Sequence, residues 1–160
     1  MKSSISILAL WVIIVSSCSP QKKLEVTAPF TLGEVYSEKW IVEDKPENGG
    51  YEVTISILSL DSKEAVLQNL YHKGQIANLT IELREIGTVA LAEYAEIEPV
   101  EQDTVPVDLK NETELFPFQL TDTEAVLSYL HNEKVKYFKL NGIRQNPVKV
   151  YPSLEARNSD

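Results

Sequence analysis

The sequence is poor in the residues that build disulfides and metal sites. It has one cysteine, Cys18, and two histidines, His72 and His131. A single cysteine cannot form a disulfide within the chain, so the fold depends on its hydrophobic core. The histidines lie far apart, in no H-x-x-x-H or H-x-E context, which argues against a zinc site. We expect both at strand ends, with solvated rings.

Catalytic and phosphate-binding motifs are also missing. There is no G-x-S-x-G elbow, and no Lys-Ser or Lys-Thr pair follows Gly49-Gly50. This glycine pair predicts a tight turn before a strand. One set of acidic residues lacks the spacing of an EF-hand calcium loop and predicts a solvated loop: Glu96, Glu98, Glu101 and Asp103. We therefore predict no catalytic residue, no cofactor and no metal ion.

Basic residues are fewer than acidic ones, 15 against 24, and the formal net charge is −9. Binding of nucleic acid depends on clustered lysine and arginine, so DNA and RNA are poor partners. The sequence also has no polybasic patch for anionic lipid headgroups. An acidic surface of this kind favours solubility and resists non-specific association.

No apolar run is long enough to span a bilayer. Ile5–Val15 (ISILALWVIIV) has 11 residues, whereas a spanning helix needs about 20. The run follows Lys2 and precedes Ser16-Ser17, which is the layout of a secretory signal peptide. A retained transmembrane anchor and a buried core helix are the weaker alternatives, since the run is short and has no polar face.

The segment Val15-Ser16-Ser17-Cys18 resembles the lipobox of bacterial lipoproteins. The resemblance implies diacylglyceryl transfer to the Cys18 sulfur, cleavage before Cys18 and acylation of the new amino group. Two or more acyl chains give a stable anchor, because each buried methylene contributes about 0.8 kcal/mol. The alternative is a free or buried structural thiol in a secreted domain.

The segment after the cysteine indicates the orientation. Gln21-Lys22-Lys23 lacks the acidic cluster that surface-exported lipoproteins of Bacteroidota often show at this point. We therefore expect a lipid-anchored protein of the bacterial cell envelope, on the outer membrane and facing the periplasm. Removal of residues 1–17 leaves 143 residues, the size of one domain.

Alternating patterns predict strands along most of this domain. In Tyr51–Ile57 and again in Ala77–Leu83, apolar and polar residues alternate without interruption. Val66–His72 is a further candidate strand, and Lys73-Gly74 is a plausible hairpin turn into the second run. Thr88–Ile97 fits either a helix or a strand. We predict a strand there, because its length and its neighbours favour one.

The C-terminal third is less uniform. Residues 98–114 contain two prolines and no period, which predicts an exposed loop. Thr121 and Glu124 fit a capping box, so we predict a short helix near 122–131. The alternative is a strand from 125 to 130. Lys134–Leu140 is a strand on either interpretation, and a last strand is expected around 148–150.

Seven or so short strands predict a mainly β domain, an antiparallel sandwich or a partly closed barrel. An immunoglobulin-like sandwich is the first choice. The expected organisation is a lipoprotein signal peptide at 1–17, a lipidated tether at 18–33, one β-rich domain at 34–152 and a flexible tail at 153–160.

Three stretches resemble a family of small lipoproteins from flavobacteria and their relatives. They are Gly33–Trp40 (GEVYSEKW), Leu70–Ile81 (LYHKGQIANLTI) and Phe116–Leu140 (FPFQLTDTEAVLSYLHNEKVKYFKL). The resemblance implies a single-domain envelope lipoprotein and assigns no chemistry. It departs at 47–50, where the family leads us to expect a longer loop of glycine and serine.

A second short resemblance concerns modification. Asp103-Thr104-Val105 is similar to the sequon at which Bacteroidota O-glycosylate exported proteins. It lies in the predicted proline-containing loop, where a glycan would fit. The resemblance implies possible O-glycosylation of Thr104.

The function that follows is a non-catalytic binding module of the envelope, whose partner is another envelope protein or a glycan. The alternative is a carrier of a small molecule or lipid in an aromatic-lined cavity. An envelope hydrolase is the least favoured hypothesis. The aromatic residues would either line such a cavity or fill the core: Trp40, Tyr51, Tyr71, Tyr94, Tyr129, Tyr137 and Phe138.

Overall fold

The structure is a computed structural model that describes residues 22–43, 45–95 and 116–158. Within these residues the chain forms ten strands and one short helix, arranged as two five-stranded sheets. The predicted mainly β sandwich is confirmed. In the described part no sheet closes into a barrel, and no helix is long and apolar enough to cross a membrane.

Sheet A contains the first strand and two hairpins. Its strands, in spatial order, are β1 (Leu24–Glu25), β9 (Lys134–Asn141), β8 (Glu124–His131), β4 (Val66–His72) and β5 (Gln75–Asn78). The turn between β4 and β5 is at Lys73-Gly74, as predicted, and both residues have positive φ angles. Glycine adopts such angles without strain.

Sheet B contains the longer strands. Its spatial order is β10 (Arg144–Tyr151), β2 (Phe30–Val42), β3 (Lys45–Leu60), β7 (Gly87–Ala95) and β6 (Thr80–Arg84). The helix α1 (Leu154–Asn158) follows β10. The strands predicted at 88–97 and around 148–150 correspond to β7 and β10.

The strand order is that of an immunoglobulin-like sandwich. In sheet B the spatial order A-B-E-D is formed by β2, β3, β7 and β6. In sheet A the spatial order G-F-C-C′ is formed by β9, β8, β4 and β5. The sheets are not purely antiparallel, which corrects the prediction. β1 runs parallel to β9 and β10 runs parallel to β2; both lie at sheet edges and pair with strands that are distant in sequence.

One hydrophobic core joins the two sheets. Val53 and Ile55 of β3 are fully buried, as their alternation predicts, and they pack in the same cluster as Leu70 of β4 and Leu127 of β8. Burial of such side chains contributes about 1.5–3 kcal/mol each. The chain therefore has the continuous core that a domain without disulfides requires.

The predicted helix near 122–131 is wrong, because Glu124–His131 is the strand β8. The local contact expected of a capping box is present: the Thr121 amide donates to Glu124 Oε2 at 3.0 Å. It stabilises a turn that leads into the strand. Both faces of β8 are buried, and sequence periodicity alone does not separate such a strand from a buried helix.

The alternating run at 77–83 is two strands in different sheets. β5 pairs with β4 in sheet A, and β6 pairs with β7 in sheet B. The crossover is at Leu79, whose amide donates to the Gln68 carbonyl at 2.8 Å. Alternation continues through the crossover, so the sequence pattern contains no signal for it.

Two predicted domain boundaries and one predicted turn also require correction. β1 and the start of β2 lie inside the predicted tether, where Phe30 and Leu32 pack against the core. The predicted flexible tail contains α1. Gly50 lies within β3 and forms no turn, because it pairs with Trp40 on one side and Ala95 on the other.

Candidate binding groove

The predicted aromatic set does not meet in one cleft. Four of its members belong to the core or pack against it: Tyr51, Tyr94, Tyr129 and Phe138. Tyr71 and Tyr137 lie on the outer side of sheet A, and Trp40 lies on the outer side of sheet B. The carrier hypothesis therefore gains no support from these residues. Cys18 and Thr104, the two predicted modification sites, lie outside the described residues.

The outer aromatic residues of sheet A are covered by the segment that precedes β8. Tyr71 packs edge-on against Phe118, with 5.0 Å between ring centroids, and Tyr137 lies 5.6 Å from the same ring. Lys22 places its Nζ atom 5.0 Å from the Tyr137 centroid. This surface is therefore occupied by the chain itself.

His72 is fully buried, which corrects the expectation of a solvated ring. Its Nδ1 lies 2.8 Å from the Glu124 carbonyl oxygen, which only accepts, so Nδ1 carries the proton. The ring lies edge-on to Tyr51 and Tyr94. Burial lowers the pKa of His72, so the imidazole is held in its neutral form.

Tyr51 and Tyr94 stack with 4.6 Å between ring centroids, beside the His72 ring. The Tyr94 hydroxyl donates to the Leu70 carbonyl at 2.8 Å and links the two sheets. Burial raises the pKa of both tyrosines far above the usual range. Tyr51, Tyr94 and His72 therefore form a buried polar cluster within the core.

His131 binds a backbone carbonyl as well. Its Nδ1 lies 2.7 Å from the Glu64 oxygen, which holds the end of β8 against the turn before β4. Within the ranges that the structure describes, no group of three or more His, Cys, Asp and Glu side chains is placed to hold a metal ion.

A polar groove of about 950 Å³ lies on the outer side of sheet B. Strand register places its side chains in rows, because directly paired residues on neighbouring strands point to the same face. Glu38 of β2 pairs with Glu52 of β3, and Glu52 pairs with Glu93 of β7. Three carboxylates thus form a row across the middle of the sheet.

The neighbouring rows place Tyr36 in the groove and Trp40 beneath Arg157 beside it. Tyr36 pairs with Thr54 on one side of the carboxylate row, and Trp40 pairs with Gly50 on the other. At the edges the groove is completed by basic, polar and apolar side chains: Glu82, Leu83, Arg84, Glu85, Ile86, Leu91, Asn146, Lys149, Tyr151 and Arg157. The groove therefore combines aromatic rings with charges of both signs.

Like charges directly opposite each other destabilise a sheet, so the carboxylate row needs compensation. Arg84 lies 3.9 Å from Glu52, and its Nε donates to Glu82 at 3.1 Å. Arg157 compensates the same carboxylates: its Nη2 pairs with Glu93 and lies 3.9 Å from Glu52. Burial raises the pKa of Glu52, while Arg84 and Arg157 oppose that shift.

Arg157 also stacks on an aromatic ring. Its Cζ lies 4.1 Å from the Trp40 ring centroid, a cation–π contact, and its side chain is only 16% exposed. Two buried polar atoms of this face have no hydrogen-bond partner in the described structure: Trp40 Nε1 and Thr54 Oγ1. Buried polar groups are normally paired, so both atoms are exceptions. Thr54 is fully buried and out of a ligand's reach, whereas Trp40 is half-buried beneath the Arg157 guanidinium.

Part of this site could be predicted from the sequence. Its alternation places Glu52 and Thr54 on the polar face of one strand, and Glu93 is the polar residue among the apolar ones of another. Their meeting with Glu38 and Arg157 depends on pairing between distant segments, for which the sequence pattern has no local signal. No protein-family model, no curated protein and no solved structure matches the chain.

Proposed function

We propose that this chain is a lipid-anchored protein of the bacterial cell envelope with a non-catalytic binding domain. The proposal for the anchor rests on the signal peptide pattern at 1–17 and the lipobox that ends at Cys18. The similarity to small flavobacterial lipoproteins supports the same assignment. The lack of an acidic cluster after Cys18 favours the outer membrane and an orientation toward the periplasm.

The binding function is proposed from the groove on the outer side of sheet B. It places a row of three carboxylates between Tyr36 and Trp40 on strands that are fixed by the core. Groups held on rigid strands lose little entropy when a ligand binds, which favours recognition. The partner that this surface fits is a polar one, another envelope protein or a glycan.

Two of the three carboxylates are engaged in charge pairs, which suits recognition more than chemistry. Glu52 lies between Arg84 and Arg157, and Glu93 pairs with Arg157. Charge pairs of this kind set specificity and orientation at interfaces more than they add affinity. We therefore propose a binding surface that selects its partner by charge pattern.

Site-specific photo-crosslinking in bacteria tests this function. A photoreactive phenylalanine derivative replaces Tyr36 in the groove of the full chain, and in the control it replaces Val135, which is 48% exposed on sheet A. We expect a discrete cross-linked species from position 36 that Glu38→Lys removes. The same products from both positions, or none from position 36, would contradict the proposal.

A further inference from the structure

Arg157 occupies part of the groove from a short C-terminal element. The helix α1 has five residues, and its first turn is closed by Ser153, whose Oγ accepts from the Ala156 amide at 3.2 Å. Leu154 in this helix is exposed. A single helical turn is not stable by itself, so its position depends on tertiary contacts such as those of Arg157.

The three groups around the guanidinium are those that recognise a cation. Trp40 offers a ring face, Glu93 accepts a charge-assisted hydrogen bond, and Glu52 adds a second carboxylate at 3.9 Å. Together they define a guanidinium subsite, made of Trp40, Glu52 and Glu93.

We propose that this guanidinium subsite binds an arginine side chain of a partner protein, and that Arg157 fills it until the partner displaces α1. The proposal rests on the proposed function of the groove and names its ligand class. The Arg157 guanidinium occupies the position that we assign to the partner's arginine, and it shows that a guanidinium fits between these three groups.

The charge of the groove favours a cationic ligand. Its lining includes five glutamates and three basic residues, a formal balance of two negative charges. When Arg157 leaves, the balance becomes three negative charges, and Glu38, Glu52 and Glu93 lie in one row with fewer counter-charges. An incoming arginine restores the lost pair, whereas a neutral sugar does not.

An unpartnered donor favours a peptide as the molecule that brings this arginine. Among the residues that the structure describes, Trp40 Nε1 has no hydrogen-bond acceptor. A peptide backbone supplies carbonyl acceptors and amide donors beside its side chains. An arginine-containing segment therefore satisfies both the charge and the hydrogen-bonding requirement of this face.

Peptide binding to the processed chain, residues 18–160, tests the inference. The sequence has two tryptophans, and Trp11 lies in the proposed signal peptide, so Trp40 is the only tryptophan fluorophore of the processed chain. The probe is an acetylated and amidated pentapeptide with two arginines, and the matched control has citrulline at both positions, which keeps the shape and removes the charge. Binding is followed by Trp40 fluorescence and by calorimetry.

Arg157→Ala opens the subsite, so we expect the arginine peptide to bind this variant about tenfold more tightly than the parent chain. Glu93→Gln in the same variant is expected to abolish that gain. The citrulline peptide is expected to bind neither chain. Arg157→Gln, which keeps a long polar side chain, provides a second open variant.

Several outcomes would overturn the inference. These are equal binding of the arginine and citrulline peptides, no gain in either open variant, and preferential binding of an uncharged oligosaccharide. Circular dichroism checks the fold, and unfolding of both variants would also overturn it, since Arg157 would then be a fixed structural residue. Cross-linking from position 36 does not depend on arginine, so it separates failure of this subsite from failure of the groove.

Discussion

The Trp40 ring occupies the space that a side chain at Gly50 would need. A Cβ atom at position 50 would lie 2.9 Å from Cζ2 of Trp40 and 2.5 Å from the carbonyl oxygen of Tyr94. Glycine in a strand often marks such a close approach. Gly50 therefore positions the ring on which Arg157 stacks, and so connects the fold of β3 to the groove.

Gly50→Ala is expected to lower the free energy of unfolding by about 1–3 kcal/mol, the usual cost of overpacking. Urea denaturation measures this change. Gly33→Ala is the matched control, because its Cβ would make looser contacts, 3.2 Å to Ser56 Cβ and 3.3 Å to a Leu58 side chain that is 68% exposed. Equal losses in the two variants would contradict the packing described for Trp40.

Tyr94→Phe removes a buried hydrogen bond between the sheets, from the Tyr94 hydroxyl to the Leu70 carbonyl. We expect the free energy of unfolding to fall by about 0.5–1.5 kcal/mol. Tyr51→Phe is the control, since its hydroxyl lies 3.4 Å from the His72 carbonyl and the bond is weaker. A larger loss in Tyr51→Phe than in Tyr94→Phe would be inconsistent with these distances.

The strand β3 could be predicted from its alternation, whereas β8 could not. β4 and β7 are also buried on both faces, and for β7 the length and the neighbouring strands are enough to predict a strand. Glu52 and its neighbours in β3 alternate with the buried Val53 and Ile55, so the periodicity identifies the strand. In β8 the residues of both faces are buried, and the pattern fits a helix equally well. Thr121 and Glu124 form the expected local contact, but burial on both faces of the following strand determines its conformation.

Stability should fall in mild acid because of His72. Burial lowers the pKa of this histidine, so below about pH 6.5 the unfolded chain binds a proton more readily than the folded one. The stability that neutral His72 contributes is full above that pH and is lost as the pH falls. The expected slope is at most about 1.4 kcal/mol per pH unit.

Urea denaturation between pH 7.5 and roughly pH 5 measures this slope. His72→Gln retains a donor for the Glu124 carbonyl and has no imidazole, so we expect a flatter profile. An unchanged slope in His72→Gln would exclude His72 as its cause.

The groove shows why a site is harder to predict than a fold. Glu38, Glu52 and Glu93 form one row only because β2, β3 and β7 pair in a particular register. Arg157 belongs to the segment 153–160, for which the position at the terminus predicts a flexible tail. Its contact with Trp40 depends on β10 running parallel to β2, which places the chain end beside the groove.

Modification of Thr104 is a separate prediction of the sequence. In protein purified from its native host, we expect a glycan on the 98–114 peptide, detected by mass spectrometry as an added hexose-scale mass. Thr104→Val should remove this addition. An unmodified peptide from the native host would exclude the sequon.

We propose that Cys18 anchors this domain to a membrane, and the intact mass of the protein purified from bacterial membranes tests this anchor. The expected mass is that of residues 18–160 plus the diacylglyceryl and acyl groups on Cys18. Cys18→Ser should lose both the lipid and the association with the membrane fraction. A chain from the same membranes that retains residues 1–17, or that begins at Cys18 without lipid, would contradict the account.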